Sequence, residues 1–354
     1  MKDVAQVAQV SQATVSYAYT RPEKISSALR DRVLRIADEI GYAGPNPGGQ
    51  NLRTGHFGAL GLMMTDSLAL AFDDPATTYL LRGIAEVGEL AEVALTLLPF
   101  PAADIARSAD ERDAHAARVA LRSAVDGFLA YAMPDRHPAL DAVRRRGAPM
   151  VVIDSPLLPG VPSVGIRDRR GAEQAARHLL ELGHRRIGVL VDRLAPDGRR
   201  GVVPRGRFRR IRDRVARERI GGYRSAFAAH GLDFGRTTVV EAGGFNRALS
   251  LRAARTLLDE GGFTAVLAST DVLALAALDV LAERGARVPE DISVTGFDDL
   301  PAAATAGLTT VSQPLVEKGR RAADMLVEVM RGGTGKRLLL PTELVSRDST
   351  APPR

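Results

Sequence analysis

The sequence predicts a small all-α helix-turn-helix headpiece joined to an α/β body of two doubly wound parallel-sheet subdomains. Three observations carry this reading. Residues 3 to 17 contain two short helical patterns separated by a tight turn. A third helical pattern follows and runs into a Pro- and Gly-rich stretch. Beyond Phe57, short apolar runs alternate with helical periodicity for the rest of the chain, as in parallel sheets covered by helices.

In the headpiece, Asp3 is placed to cap a first helix carrying Val4, Ala5, Val7 and Ala8. Ser11 is placed to cap a second helix that buries Val15 and exposes Gln12, Ala13, Ser16 and Tyr17. Ala5 and Ala8 are small enough to let the two helices cross closely, with Val10 plugging the space between them. From Ser26 a third helix sets Leu29, Val33, Ile36 and Ile40 on one face and ends at Gly41. The first two helices alone fit either a DNA reader, whose second helix enters the major groove, or an ordinary helical hairpin. The stretch Gly44 to Gly55 is too rich in Pro and Gly to be stably helical in isolation and reads as a linker in free solution.

Two sheets can be traced in the body. The first uses 60–64, 94–98, 127–131 and 150–154, with helices near 77–91, 110–123 and 138–146. The second uses 187–191, 238–241 and 265–269, followed by 292–297 near a domain crossover where pattern alone does not assign a sheet, with helices near 171–182, 219–230, 247–260 and 272–284. Strand ends that face one cleft make a natural small-molecule site.

Composition narrows the function. The chain has 354 residues, 45% of them apolar, and no long uncharged apolar run; a soluble, multi-domain protein without signal peptide or membrane partner is expected. The absence of cysteine excludes disulfides, thiol nucleophiles and Cys-based zinc sites, and suits the cytoplasm. The pI near 9.9 is not itself a sign of nucleic-acid binding. Residues 193–219 hold eleven arginines against three carboxylates, a net +8 that exceeds the +6 of the whole chain, whereas residues 1–56 contribute only +2. Enzyme motifs are missing: there is no G-x-S-x-G or H-E-x-x-H, and Gly332 to Arg337 lacks the P-loop spacing. The six histidines are scattered; His178 and His184 read as surface or capping residues, and neither metal nor cofactor is expected.

This order of helix-turn-helix, third helix ending in Gly-Tyr, Pro-Asn linker with a following Leu, and α/β body resembles the lac repressor (LacI/GalR) family over essentially the whole chain. The segments that match best are Leu182 to Ile187 (LGHRRI), Ala216 to Tyr223 (ARERIGGY), Val288 to Asp299 (VPEDISVTGFDD) and Leu308 to Pro314 (LTTVSQP). The resemblance implies a periplasmic-binding-protein-like body and a homodimer that binds a pseudo-palindromic operator with an affinity tuned by a sugar or sugar derivative in the cleft between subdomains. It implies Gln12, Ala13 and Tyr17 as base readers and Ser11, Thr14 and Ser16 as phosphate or backbone contacts. Asn46 belongs to the linker, and Leu52 matches the residue that wedges into the minor groove. In the cleft it implies Arg219, Asp298, Thr270, Phe245 and Asp154, with Leu70, Phe72 and Asp73 from the first subdomain. An Asp at a strand end also serves as a turn or helix cap, and Asp271 is expected to brace its loop.

The domain boundaries expected are 1–45 for the headpiece, 46–56 for the hinge, 57–155 with 287–315 for the N-terminal effector subdomain, and 156–286 with 316–354 for the C-terminal one. There are three departures from the family pattern. Gln9 stands where Gly is usual, Pro47, Gly48 and Gly49 weaken the hinge, and Thr270 replaces a common Asn. The Arg-rich stretch 193–215 either covers the cleft and favours an anionic ligand such as a sugar phosphate, or is a solvated, disordered insertion. The competing functions are a cytoplasmic small-molecule-binding protein with a non-reading headpiece and, more remotely, a sugar-metabolism enzyme.

Overall fold

The computed structural model describes residues 1–44, 56–65, 67–90, 93–101 and 108–354. The chain divides into two units, 1–57 and 58–354. Asn46 and Leu52 of the hinge lie outside the described residues.

In the first unit, helices span Lys2–Val7, Gln12–Thr20 and Ser27–Glu39. Ser11 caps the second through the amide of Thr14 at 3.0 Å, and Ser26 caps the third through the amide of Leu29 at 3.3 Å. Asp3 does not cap: the first helix starts from Met1, and Asp3 sits in its first turn, where its charge faces the helix dipole favourably. Val4, Ala5, Ala8, Val15, Ala18, Val33 and Ala37 form the core. Ile40 falls outside it as the exposed cap residue, and Ala37 takes the inward place instead. Gln9 adopts the left-handed backbone, φ +52°, that the turn demands. Two cations of the third helix tie the bundle together: the Arg32 guanidinium donates to the carbonyl of Ala8, and Arg30 Nε donates to that of Ala18 at 3.2 Å.

The second unit holds two parallel sheets. In the first, the order is β12-β5-β4-β3-β1-β2, with β1 Ala59–Met64, β2 Ala94–Pro99, β3 Gly127–Tyr131, β4 Met150–Ile153, β5 Ser163–Ile166 and β12 Arg337–Leu340. In the second, the order is β10-β9-β6-β8-β7, with β6 Ile187–Val191, β7 Gly201–Val202, β8 Val239–Glu241, β9 Ala265–Ala268 and β10 Ser293–Thr295. Only β7 runs antiparallel within it. A short antiparallel pair, β11 Thr310–Ser312 with β13 Glu343–Val345, stands apart.

Sheet membership corrects the expected subdomain boundaries. β5 and β12 belong to the first sheet, although 156–286 and 316–354 were assigned to the C-terminal subdomain; β10 belongs to the second, although 287–315 was assigned to the N-terminal one. The helix Leu315–Met330 precedes β12, burying one face against β3, β4, β5 and the helix Pro75–Ala85. Gly319 and Gly83 permit that crossing, because a Cβ on either would overlap backbone of the other helix. The chain therefore passes between the sheets three times: after β5, between β11 and the Leu315–Met330 helix, and after β12.

The Arg-rich insertion is folded rather than solvated. Its sparse apolar residues Leu194, Val203, Phe208 and Ile211 join the main core, and β7 pairs with β8. Arg207 is buried against Glu241, with Nε–Oε2 at 2.6 Å, and reaches Asp197 at 2.8 Å. His184, expected at the surface, is buried, and its ring bonds Thr264, Ser293 and the carbonyl of Ala351, which anchors the C-terminal tail. Among the described residues, no helix is long and apolar enough to cross a membrane.

Candidate functional site

Strand ends of both sheets converge on one cleft, with an empty volume of about 1010 Å³ including the open solvent at its mouth. The first sheet supplies Thr65 after β1, Tyr131 and Ala132 at the end of β3, and Asp154 after β4. The second supplies Asp192 and Arg193 after β6, Ser269 and Thr270 after β9, and Asp298 beyond β10. Backbone strain gathers at these ends: Ala132, Asp154, Asp298 and Asp299 all have left-handed φ values.

Arg219 lies on the floor, on the helix Arg214–Ala229 that Asp213 caps. Its Nε donates to Asp168 Oδ1 at 3.0 Å, its Nη1 donates to the Ser269 carbonyl, and its Nη2 lies 3.8 Å from Asp298 Oδ1. The guanidinium stacks 3.7 Å above the ring centroid of Phe297. Arg193 pairs with Asp213 at 3.3 Å and covers Phe245 at 4.6 Å. It also donates to Thr65 Oγ1 at 2.6 Å, joining the two walls.

Burial lifts the Asp192 carboxyl to about 6, opposed by the hydroxyls of Ser269 and Thr270, which donate to it at 2.7 and 3.0 Å. Burial also raises Asp298 well above the carboxylate range, against the pull of Arg219. Asp154 accepts from Lys318 Nζ through Oδ2 at 2.9 Å, while its buried Oδ1 has no partner. Asp271 braces its loop, accepting from the Leu300 amide at 2.8 Å and the Thr310 hydroxyl at 2.5 Å.

Of the residues singled out in the sequence, Asp154, Arg219, Phe245, Thr270 and Asp298 line this cleft together. Phe72 and Asp73 do not: Phe72 is 59% exposed and Asp73 points to solvent, because the helix Leu68–Asp73 ends there. Leu70 lies in the same helix, and its side chain is outside the described residues. The lining acid is instead Asp74, which caps the next helix through the amides of Ala76 and Thr77, both at 3.1 Å. Its sequence signal is an Asp directly before Pro75 at the first helical position. Thr65, Asp192, Arg193 and Gln313 were also missed, though Asp192 and Arg193 directly follow the apolar run of β6.

In the headpiece, Ser11, Gln12 and Ala13 are exposed, whereas Thr14 and Tyr17 are half-buried. The Lys24 ammonium sits 5.5 Å from the Tyr17 ring. Ser16 is buried, not exposed, since it adjoins Val15 on the inward half of its helix.

Residues 1–46 match the lacI family of bacterial regulatory proteins, and residues 176–350 match a periplasmic binding protein-like domain. An HTH-type transcriptional regulator of Mycobacterium tuberculosis is 40% identical over 353 residues, 98% of this chain and 95% of that protein. The chain belongs to the LacI family. It is a DNA-binding transcriptional regulator and not an enzyme. Among LacI-family structures, the regulator CelR in complex with cellobiose superposes with a TM-score of 0.69 at 28% identity, covering 98% of each chain. The lac repressor dimer bound to operator superposes with a TM-score of 0.74 at 25% identity, over 99% of this chain and 98% of that one.

Proposed function

We propose that this regulator is a repressor that binds a pseudo-palindromic operator as a homodimer in the cytoplasm, and that a neutral, hydroxyl-rich effector such as a sugar in the cleft tunes its affinity. One observation carries the choice of effector. Both lining arginines already face carboxylates, whereas Asp154 Oδ1 is buried without a donor. Such a site needs hydrogen-bond donors and repels added negative charge. This reading sets aside the sugar phosphate, since the Arg-rich insertion sends Arg193 and Asp213 to the lining as a pair. The structural neighbour bound to cellobiose is consistent with a sugar.

Ser11, Gln12, Ala13, Thr14 and Tyr17 are assigned to DNA contact, with Asn46 and Leu52 in the hinge and buried Ser16 as support. Arg219, Asp298, Thr270, Phe245, Asp154 and Asp74 are assigned to the effector. Dimerisation has its own support. Leu68 and Phe72, one turn apart on a helix, and Leu95 on edge strand β2 are exposed apolar side chains that a second copy would cover. Calorimetry of the full-length protein against cellobiose, ribose, glucose and glucose 6-phosphate tests the effector class. Binding confined to neutral sugars supports the reading, and preference for the phosphate ester overturns it.

A further inference from the structure

Lys318 is the anomaly of the Leu315–Met330 helix. It lies on the buried face with Leu315, Gly319, Ala322 and Leu326, and is 1% exposed. An ammonium so placed is costly unless paired and fully hydrogen-bonded. Its Nζ reaches two acceptors, Asp154 Oδ2 at 2.9 Å and Gln313 Oε1 at 2.6 Å. Gln313 in turn donates through Nε2 to Asp298 Oδ1 at 2.5 Å. Asp298 faces Arg219 at 3.8 Å, and Arg219 holds Asp168 at 3.0 Å.

The chain of contacts runs from one half of the body to the other, in addition to the Arg193–Thr65 bond across the cleft. Asp154 directly follows β4 of the first sheet, and Lys318 sits on a helix packed against that sheet. Asp298 follows β10 of the second sheet, and Arg219 belongs to a helix of the second half. Gln313 and Asp168 lie on two of the three passages between the sheets. Lys318 itself does not line the cleft, yet both of its partners do.

We infer that Lys318 is a positioning residue that locks the two walls of the cleft in register, holding Asp154 directly and Asp298 through Gln313. A residue that only neutralised Asp154 would need one partner; the second bond, to the passage segment, is what joins the halves. This lock is independent of which ligand the cleft takes, so it is testable without one.

The chain contains no cysteine, so Arg145→Cys and Arg252→Cys, on exposed helical positions of the two halves, create a unique pair for spin labels. Electron–electron resonance then reads the separation of the halves in the full-length protein. The parent is expected to give one narrow distance. Lys318→Met shifts and broadens it, and so does Gln313→Leu, which cuts the same link while leaving the Lys318–Asp154 pair in place. Lys318→Met also lowers the melting temperature by stranding the Asp154 carboxylate, and adding Asp154→Asn restores it. The lock predicts that this double variant melts normally yet keeps the broad distribution. A parental distance distribution in both the double variant and Gln313→Leu would overturn it and leave Lys318 a plain counterion.

Discussion

Arg207 and Glu241 meet in a two-point ion pair, Nε to Oε2 at 2.6 Å and Nη2 to Oε1 at 2.7 Å, with side-chain exposures of 6% and 2%. Glu241 also accepts from the amide of Leu194 at 2.6 Å, so one carboxylate on β8 organises the start and the middle of the Arg-rich insertion. Removing the cation leaves a buried, uncompensated charge. Arg207→Ala is therefore expected to cost about 3–5 kcal/mol, read as a lower urea midpoint. A loss below about 1 kcal/mol would be the signature of a surface pair and would contradict the burial seen here.

The turn of the headpiece carries a correctable strain. Gln9 is exposed, holds φ +52° and donates its amide to Gln6. Gln9→Gly relieves the left-handed penalty of about 1 kcal/mol, so hydrogen exchange of the Ala8 and Val10 amides, which donate to the carbonyls of Val4 and Ala5, should slow several-fold in the full-length protein. Faster exchange would mean that the entropy lost by glycine outweighs the strain relieved.

Burial of Asp192 has a pH signature opposite to that of a salt-bridged acid. Its carboxyl is lifted to about 6 from the ordinary 3.8, so the folded protein keeps a proton that the unfolded chain has already released. The contribution of this group to stability is fully present below about pH 4, falls as pH rises towards 6, and levels off above that. Asp192→Asn should make that fall shallower in denaturant titrations from pH 4 to 7, leaving the share of Asp271, which burial also lifts to about 6. An unchanged slope would show that Asp192 titrates normally.

The helix crossing at Gly319 tolerates no side chain. Gly319→Ala drives a Cβ into the Leu80 carbonyl, and overpacking of this kind costs typically about 1–3 kcal/mol. A fall in melting temperature is expected, whereas a substitution at exposed Gly206, which meets nothing within 4 Å, should leave it unchanged.

For DNA, Tyr17→Ala should abolish operator retention while the calorimetric affinity for effector survives. The family resemblance implies a hinge helix that folds on the operator, so replacing Gly48 and Gly49 by Ala should tighten operator binding several-fold, each Gly costing about 1 kcal/mol in a helix. Loss of ligand affinity in Tyr17→Ala would point to misfolding rather than lost readout.

Much of this fold is written locally. The caps at Ser11 and Ser26, the left-handed Gln9 and the long apolar runs of β1, β3 and β6 depend on neighbours within a few residues. The passages between sheets do not. β5 and β12 have four residues each, β5 interrupted by Gly165, and β12 acquires its identity from pairing with β5 across more than a hundred positions. Asp73 and Asp74 differ by one place along the chain, but only the second caps a helix and so turns inward. The insertion misled for another reason: its anchors Leu194, Val203, Phe208 and Ile211 are spread so thinly among arginines that no window shows a period.

The three passages also define the mechanics of the body. β5 and β12 are adjacent at one edge of the first sheet, and β11 and β13 are paired with each other where the chain crosses. Three straps bundled on one side resist torsion and shear, because either motion must stretch all of them unequally. Bending about the bundle lengthens none, which leaves a single soft axis along which one half can swing.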